Sequence, residues 1–216
     1  MRSEYDRIAG QNVERLAALS DGIFAVAMTL LVLGLRLPAA RAVSSEGELW
    51  HALLGLRPEL LIYFMSFLTL GIFWVGQQTQ LNHLERSDRD LTWIHLGFLF
   101  AVTLTPVSTA LLADFFRYRL ALVIYWMNLL LLGVLLYASW GHAIRGKLVR
   151  DDMPAGTPAA VCRRIQIAQG LYALGVLLCI FAMLWSIGFI VLVQLNYVLA
   201  PRLPRRHKTE SEGEAK

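Results

Sequence analysis

The chain has 216 residues, of which 56% are apolar and 17% are charged, and its mean hydropathy is +0.53. This composition excludes an ordinary soluble domain and indicates an integral membrane protein, because several apolar stretches approach the ~20 residues that cross a bilayer as a helix. The formal net charge of +4 comes from the ends and the loops. It therefore informs the topology and does not favour a nucleic-acid partner.

Six spans are predicted from the apolar stretches that lie between charged residues. In chain order they cover residues 16–35, 60–81, 91–113, 120–144, 159–183 and 186–200. Pro106 is expected to interrupt the third span. A capping-box pattern at Ser45 and Glu48 predicts a short helix at the membrane surface before the second span. We therefore predict an all-α fold, an integral membrane protein with six transmembrane helices and one repeat per chain.

The boundary between the last two spans follows from length. No charged residue occurs between Arg164 and Arg202, and a single helix over that stretch would be ~55 Å long, against a hydrocarbon core of ~30 Å. The chain must therefore fold back on itself. The predicted turn is Trp185–Gly188.

The distribution of basic residues predicts the orientation in the membrane. With six spans both termini lie on one side, and fifteen of the 20 Lys and Arg residues then fall on that side. The positive-inside rule places this side in the cytoplasm. We expect the protein to lie in the inner membrane of the cell. We expect residues 1–15 to be a cytoplasmic segment, residues 16–200 a six-helix transmembrane domain, and residues 201–216 a cytoplasmic, disordered tail.

The first span carries polar residues inside an apolar helix. On an ideal helix Leu30 and Leu33 fall within about 40° of Val26, Thr29 lies about 60° from it, and Asp21 about 140° away. The helix thus presents an apolar stripe with one hydroxyl in one direction and its carboxylate in another. If copies of this helix surround an axis, the stripe forms stacked apolar rings and Asp21 faces its own subunit.

Simpler interpretations of the same residues stay open. The stripe could face lipid or a neighbouring helix, and Thr29 could only bond back to the carbonyl of Ala25. Asp21 could be a structural anchor, since a carboxylate in a membrane helix must be paired or protonated. Arg15 falls near the stripe, where unpaired arginines would repel cations. Either the helix begins after Arg15, or a carboxylate neutralises it, with Asp21 as one candidate.

Polar side chains on the other spans are interpreted as interhelical hydrogen-bonding groups. They include Ser66, Thr69, Gln77, Gln78, Thr105, Ser108, Thr109, Asn128 and Gln194. His95 is interpreted as a buried core histidine in preference to a proton relay. The sequence contains no nucleophile with a base, no phosphate loop and no metal-spaced Cys/His set, so we expect neither an enzyme nor a cofactor.

The segment from Arg15 to Gly22 reads RLAALSDG. It resembles the RxxxFSDG signature of a potassium-channel family whose animal members are endolysosomal and contain two six-helix repeats. Its bacterial members have one repeat and assemble as tetramers. The resemblance continues at Trp74 and Pro106 and covers most of residues 12–200.

This sequence differs from the usual pattern of that family at a few positions. Leu19 replaces an aromatic residue, and His95 stands where an asparagine is common. Gln77 and Gln78 stand where many members have two histidines.

The resemblance implies that the first helices of four subunits line a potassium pore without a carbonyl filter. The implied constriction residues are Val26, Leu30 and Leu33, with Thr29 linked to potassium preference. The residues implied to form the network that holds the first helix are Arg15, Ser20, Asp21, Gly22, Trp74 and His95.

We therefore expect a homotetrameric, potassium-selective leak-type channel in a lipid bilayer. One alternative left open is a small proton- or ion-coupled secondary transporter that uses Asp21 and His95. Another is a non-conducting structural or regulatory membrane subunit, because an apolar stripe alone does not prove a pore.

Overall fold

The computed structural model describes residues 12–37, 39, 43–154, 156–180 and 183–199. Within these ranges the chain forms the α-helices α1 (Val13–Val32), α2 (Glu46–Gly55), α3 (Arg57–Asn82), α4 (Arg89–Asp114), α5 (Arg119–Arg145), α6 (Thr157–Leu177) and α7 (Met183–Leu199). A 3-10 turn over Leu178–Ile180 follows α6. The predicted all-α fold is confirmed. The predicted tail and most of the predicted N-terminal segment lie outside the described residues.

The predicted spans correspond to α1 and to α3 through α7. Four of these helices, α1, α3, α4 and α5, are long and apolar enough to cross a membrane. The apolar part of α7, Trp185–Leu199, is shorter. The short helix α2 is the predicted surface helix, and none of its residues is buried. These helices make the chain a multi-pass membrane protein.

Several helices begin where a side chain can satisfy the free backbone N–H groups of the first turn. The side chain of Asn12 accepts a hydrogen bond from Arg15 N at 3.1 Å and caps α1. In the same way, Ser45 Oγ accepts from Glu48 N at the start of α2, as the capping-box pattern predicts. Asp88 caps α4.

Helix α4 runs without a break through Pro106, so the predicted interruption is wrong. Proline has no N–H and removes one backbone hydrogen bond from a helix. In a membrane helix the freed carbonyl can be satisfied by neighbouring helices and hydroxyl side chains. The turn of α4 before Pro106 is packed into the bundle, where Ala101, Val102 and Thr105 are fully buried. This packing holds the helix together across the proline.

The predicted turn at Trp185–Gly188 is also wrong, because these residues lie inside α7. The chain reverses earlier, after Leu178–Ile180. Close contact between the two last helices explains this position: a Cβ atom on Gly175 would lie 2.7 Å from Ile190 Cγ1. Ser186 is fully buried and its hydroxyl donates to the Gly175 carbonyl. Ser186 therefore joins two helices and does not form a turn.

Helix α3 lies in the middle of the bundle and contacts α1, α4, α5 and α7. Helix α1 packs against α3 and α4 only through one side, which buries Phe24, Ala27 and Leu31. The side chains of Phe24 and Phe98 meet with ring centroids 6.0 Å apart, which joins α1 to α4. The opposite side of α1 is left uncovered by its own subunit.

A buried cluster of polar side chains joins α3, α4, α5 and α7. Thr69 Oγ1 lies 3.0 Å from Tyr125 Oη and accepts from Gln194 Nε2 at 2.6 Å. Asn128 Nδ2 donates to Thr105 Oγ1 at 3.0 Å. All five residues are buried, and the predicted interhelical hydrogen bonds are confirmed for Thr69, Thr105, Asn128 and Gln194.

The close contact between α6 and α7 predicts that Gly175→Ala lowers stability. The added methyl group would overlap Ile190, and overpacking of this kind costs about 1–3 kcal/mol. A matched control is Gly170→Ala on the same helix, where an added Cβ meets no atom within 4 Å. Thermal unfolding of the detergent-solubilised protein should show a lower midpoint for Gly175→Ala only. Equal midpoints for both variants would contradict the proposed packing.

Candidate functional site

The carboxylate of Asp21 is bound by two side chains of α3. Trp74 Nε1 donates to Asp21 Oδ1 at 2.8 Å, and Gln78 Nε2 donates to the same oxygen at 2.6 Å. Trp74 and Gln78 are four residues apart and therefore lie on one face of α3. Hydrogen bonds to a charged group are stronger than neutral ones, so this pair of donors stabilises the carboxylate inside the span.

Ser20, the neighbour of Asp21, joins a second and fully buried group of side chains. Gln77 Nε2 donates to Ser20 Oγ at 2.7 Å and lies 3.1 Å from His95 Nε2. The Ser20 hydroxyl lies 2.8 Å from the same ring nitrogen and 2.7 Å from the carbonyl oxygen of Leu16. The two N–H groups of the Gln77 amide can serve Ser20 and a neutral His95, while the Ser20 hydroxyl donates to Leu16.

Together these two groups fix the rotation of α1. Ser20 and Asp21 are adjacent, so they leave the helix about 100° apart and reach different partners. Ser20 points between α3 and α4, and Asp21 binds the face of α3 that carries Trp74. A rotation of α1 by one residue would break both sets of hydrogen bonds.

With the rotation fixed, the predicted stripe lies on the uncovered side of α1. The side chains of Val26, Leu30 and Leu33 are 57%, 44% and 76% exposed in the single subunit. Thr29 is exposed beside them, and its hydroxyl donates to the carbonyl of Val26 at 2.8 Å. The expected back-bond to Ala25 is thus replaced by a bond to the residue one position later.

A groove of about 400 Å³ runs along this uncovered side. It is lined by Ala18, Leu19, Gly22, Ile23, Val26, Ala27, Leu30 and Thr103. A Cβ atom on Gly22 would meet no atom within 4 Å, so contacts within one subunit do not require glycine there. Small residues in such grooves allow another helix to approach closely.

The structure supports neither a helix that begins after Arg15 nor a pair between Arg15 and Asp21. The helix begins at Val13, so Arg15 belongs to its first turn, and the alternative in which α1 begins after Arg15 is wrong. The Asp21 carboxylate accepts hydrogen bonds from Trp74 and Gln78. Among the ion pairs of the described residues, the favoured pair between Arg15 and Asp21 is absent.

The sequence predicts Gln77 and Gln78 as interhelical hydrogen-bonding residues at positions where many family members have histidines, without naming their partners. The structure places them in the network itself, one on Ser20 and one on Asp21. A signal was present, because Gln78 follows Trp74 by four residues and neighbouring glutamines must point in different directions on a helix. The departures from the usual family pattern also coincide here, since Gln77 and His95 touch each other.

The arrangement does not resemble a proton-transfer pair. Asp21 and His95 belong to separate hydrogen-bonded groups, which are joined through the backbone at Ser20–Asp21 and at Gln77–Gln78 and by none of these side-chain bonds. Within the part of the chain that the structure describes, no group of three or more His, Cys, Asp and Glu residues could hold a metal ion.

The fold and this network define a class of protein: a helical multi-pass membrane protein whose first span is anchored by polar contacts and leaves an apolar face uncovered. Residues 15–106 match the family model described as "Endosomal/lysosomal potassium channel TMEM175". A potassium channel of Streptomyces collinus is 34% identical over 192 residues, which cover 87% of this chain and 84% of that one. The human endosomal/lysosomal proton channel TMEM175 is 32% identical over 108 residues, which cover 46% of this chain and 21% of that one.

A solved structure shows the same fold. The crystal structure of a lysosomal potassium-selective channel TMEM175 homolog from Chamaesiphon minutus matches with a TM-score of 0.76 at 27% identity. The match covers 87% of this chain and 97% of the other. The chain belongs to the TMEM175 family. This is a family of ion channels and not of enzymes, and the resemblance found in the first span is confirmed at the level of the family.

The anchoring of Asp21 predicts that Trp74→Phe destabilises the protein. The change keeps an aromatic ring but removes the donor to a carboxylate, a bond worth about 1.5–3 kcal/mol. Trp93→Phe is a matched control, because Trp93 lies on α4 with 63% of its side chain exposed. We expect a lower thermal midpoint for Trp74→Phe and an unchanged one for Trp93→Phe. In combination with Asp21→Asn, the effect of Trp74→Phe should shrink, and full additivity would argue against the bond.

Proposed function

We propose that this protein is a potassium-selective leak-type channel in which α1 of four subunits lines the pore. Val26, Leu30 and Leu33 form its apolar constriction, and Thr29 lies at the edge of these rings. The observation that carries the proposal is the fixed rotation of α1, which turns this stripe away from its own subunit. Relatives that the chain matches along most of its length are named potassium channels, which supports potassium as the permeant ion.

Apolar rings can close a pore without any occluding side chain. Water leaves a narrow hydrophobic passage. Because an ion would have to give up its hydration shell to enter the dry passage, it is kept out. Opening then requires the rings to widen or rotate until partly hydrated ions pass. The hydroxyl of Thr29 and the backbone around it are polar groups beside the rings that could replace part of the water lost by K⁺.

The groove along the uncovered side of α1 supports assembly of several subunits, and the family resemblance sets the proposed number at four. Gly22 and Ala18 leave space along α1 for a helix of a neighbouring subunit, and an apolar face gains from packing even where lipid is the alternative. We place both termini in the cytoplasm and the protein in the inner membrane, as the distribution of basic residues predicts.

A secondary transporter is the main rival, and the structure offers it no support. Its two proposed titrating residues, Asp21 and His95, have different hydrogen-bond partners, and the cavity that Asp21 lines does not reach His95. A helix that presents its stripe only to lipid is the remaining rival for the role of α1.

One experiment separates these functions. The purified protein is placed in a planar bilayer between unequal K⁺ and Na⁺ solutions, and the mass of the assembly is measured in parallel. The proposal predicts unitary current steps that reverse towards the potassium equilibrium potential, and a mass of four chains. Flux that saturates and requires a co-substrate would indicate a transporter, and no flux would indicate a structural subunit.

The width of the first ring predicts the effect of Val26→Leu. Val26 is the smallest side chain of the stripe, so a larger one should narrow the ring and reduce the resting current several-fold. Val134→Leu on α5 is the control, because Val134 is 53% exposed, close to the 57% of Val26. Resting K⁺ current is measured in liposomes or in the bilayer at matched protein content. An unchanged or larger current for Val26→Leu would contradict the constriction.

We expect the hydroxyl of Thr29 to contribute to the preference for K⁺ over Na⁺. Thr29→Val removes the polar group at the rings with little change in size, so the preference for K⁺ over Na⁺ should fall. The control is Thr79→Val on α3, whose hydroxyl makes a similar bond to its own helix, donating to the carbonyl of Val75 at 2.7 Å. The reversal potential under a K⁺/Na⁺ gradient is the measurement. If Thr29→Val reverses at the wild-type potential, Thr29 takes no part in selectivity.

A further inference from the structure

An ion pair connects the end of α1 to the end of α4. Arg36 Nη2 lies 3.1 Å from Asp114 Oδ2, and the two residues are 78 positions apart in the sequence. Arg36 follows α1 by four residues, and Asp114 is the last residue of α4. In the proposed topology this end of the bundle faces away from the cytoplasm.

Helix stability does not explain a carboxylate at this position. The C-terminal end of a helix carries a partial negative charge, which disfavours an acidic side chain there. The side chains of Arg36 and Asp114 are 80% and 38% exposed, and exposed ion pairs of this kind add little to stability. The pair therefore adds little to the free energy of unfolding, and its main effect is on the electric field around it.

The pair also lies close to the proposed pore. Leu33 and Arg36 are three positions apart in the sequence, so their Cα atoms are at most ~11 Å apart. Between them, Gly34 packs beside α4, where a Cβ atom on Gly34 would lie 3.9 Å from Ala110 Cβ. Ala110 is one helical turn before Asp114. The contact therefore fixes both charges beside the outermost ring of the apolar stripe.

We propose that Asp114 sets the conductance of the outer pore mouth by neutralising Arg36. This inference rests on the proposed function, since it places Leu33 at a pore. Four copies of Arg36 without a counter-charge would surround the mouth with positive charge and lower the local concentration of cations. With Asp114 in place each arginine has a counter-charge 3.1 Å away, so the mouth does not repel potassium.

The effect of such charges depends on ionic strength. The Debye length is about 30 Å at 0.01 M and about 3 Å at 1 M salt, so the field of the mouth reaches the ion path only in dilute solution. Asp114→Asn should therefore lower inward K⁺ conductance roughly 3- to 10-fold at low salt and by less than about twofold near 1 M. Outward current, in which ions enter from the cytoplasmic side, should change less.

Opposite signs distinguish electrostatics from a mechanical role. Arg36→Gln leaves Asp114 unpaired, so it should raise inward conductance at low salt, whereas Asp114→Asn should lower it. The double variant should return towards the wild-type ratio of inward to outward current. A simple clamp between α1 and α4 would be broken equally by both single changes, which would then act in the same direction.

The test uses the full-length protein in planar bilayers of neutral lipid, with KCl varied symmetrically from dilute to concentrated. Glu46→Gln is the control, because it removes a carboxylate from the exposed helix α2 on the same side. It should leave the inward-to-outward ratio unchanged at every concentration. If Asp114→Asn does not assemble, Arg36→Gln decides alone: a larger inward conductance at low salt supports the inference, and an unchanged one overturns it.

The failure of this inference can be told apart from failure of the proposed function. A wild-type protein that conducts K⁺, with single variants that keep its conductance at low salt or shift it in the same direction, overturns only the role of Asp114. A wild-type protein that carries no current in the same bilayers overturns the channel itself, and this inference falls with it.

Discussion

The structure depends on the pair of polar contacts that hold α1 by two adjacent residues. In a bilayer the apolar faces of helices are solvated by lipid as well as by each other, so apolar packing alone specifies rotation weakly. Ser20 and Asp21 supply directional bonds instead, to Gln77 on one side and to Trp74 and Gln78 on the other. An unpaired carboxylate or hydroxyl at this depth would be costly, which makes other rotations unfavourable. The direction of the apolar stripe follows from this constraint.

The same reasoning explains why the Asp21 carboxylate can matter for ion permeation without contacting the permeant ion. Asp21 has its oxygen occupied by two donors of its own subunit, about 140° around the helix from Val26. In the proposed channel its effect on permeation is indirect, because it determines which side chains of α1 face away from its own subunit. The amide of Gln77 likewise helps to fix the rotation of α1, by donating to Ser20. Gln77 stands where many family members have a histidine, and His95 stands where an asparagine is common. In this protein the two side chains are in contact.

Much of this could be predicted from the sequence, because the dominant signals are local. The 3.6-residue period separates Asp21 from the stripe, charged residues delimit the spans, and Ser45 with Glu48 specifies the start of α2. The errors arose where tertiary contacts override local signals. Pro106 does not break a helix whose inner face is packed into the bundle, and the segment with Ser186 and Gly188 resembles a turn but lies in a close helix contact. Asp21 is one candidate partner of Arg15 in the sequence, whereas in the structure it accepts hydrogen bonds from Trp74 and Gln78 on α3. Which atoms meet across helices depends on register, and a single sequence does not specify it.

An arginine lies near each end of α1. Arg15 and Arg36 flank the apolar stripe, and each would repel cations from a pore if it stood alone. At the end of α1 near Arg36 the compensating charge is on α4, supplied by a residue that its own helix disfavours. In the proposed channel this arrangement makes the net charge at the mouth depend on the position of α4. If the rings open by a movement of α1 relative to α4, the separation of Arg36 and Asp114 changes with them, and the charge at the mouth would change together with the width of the constriction.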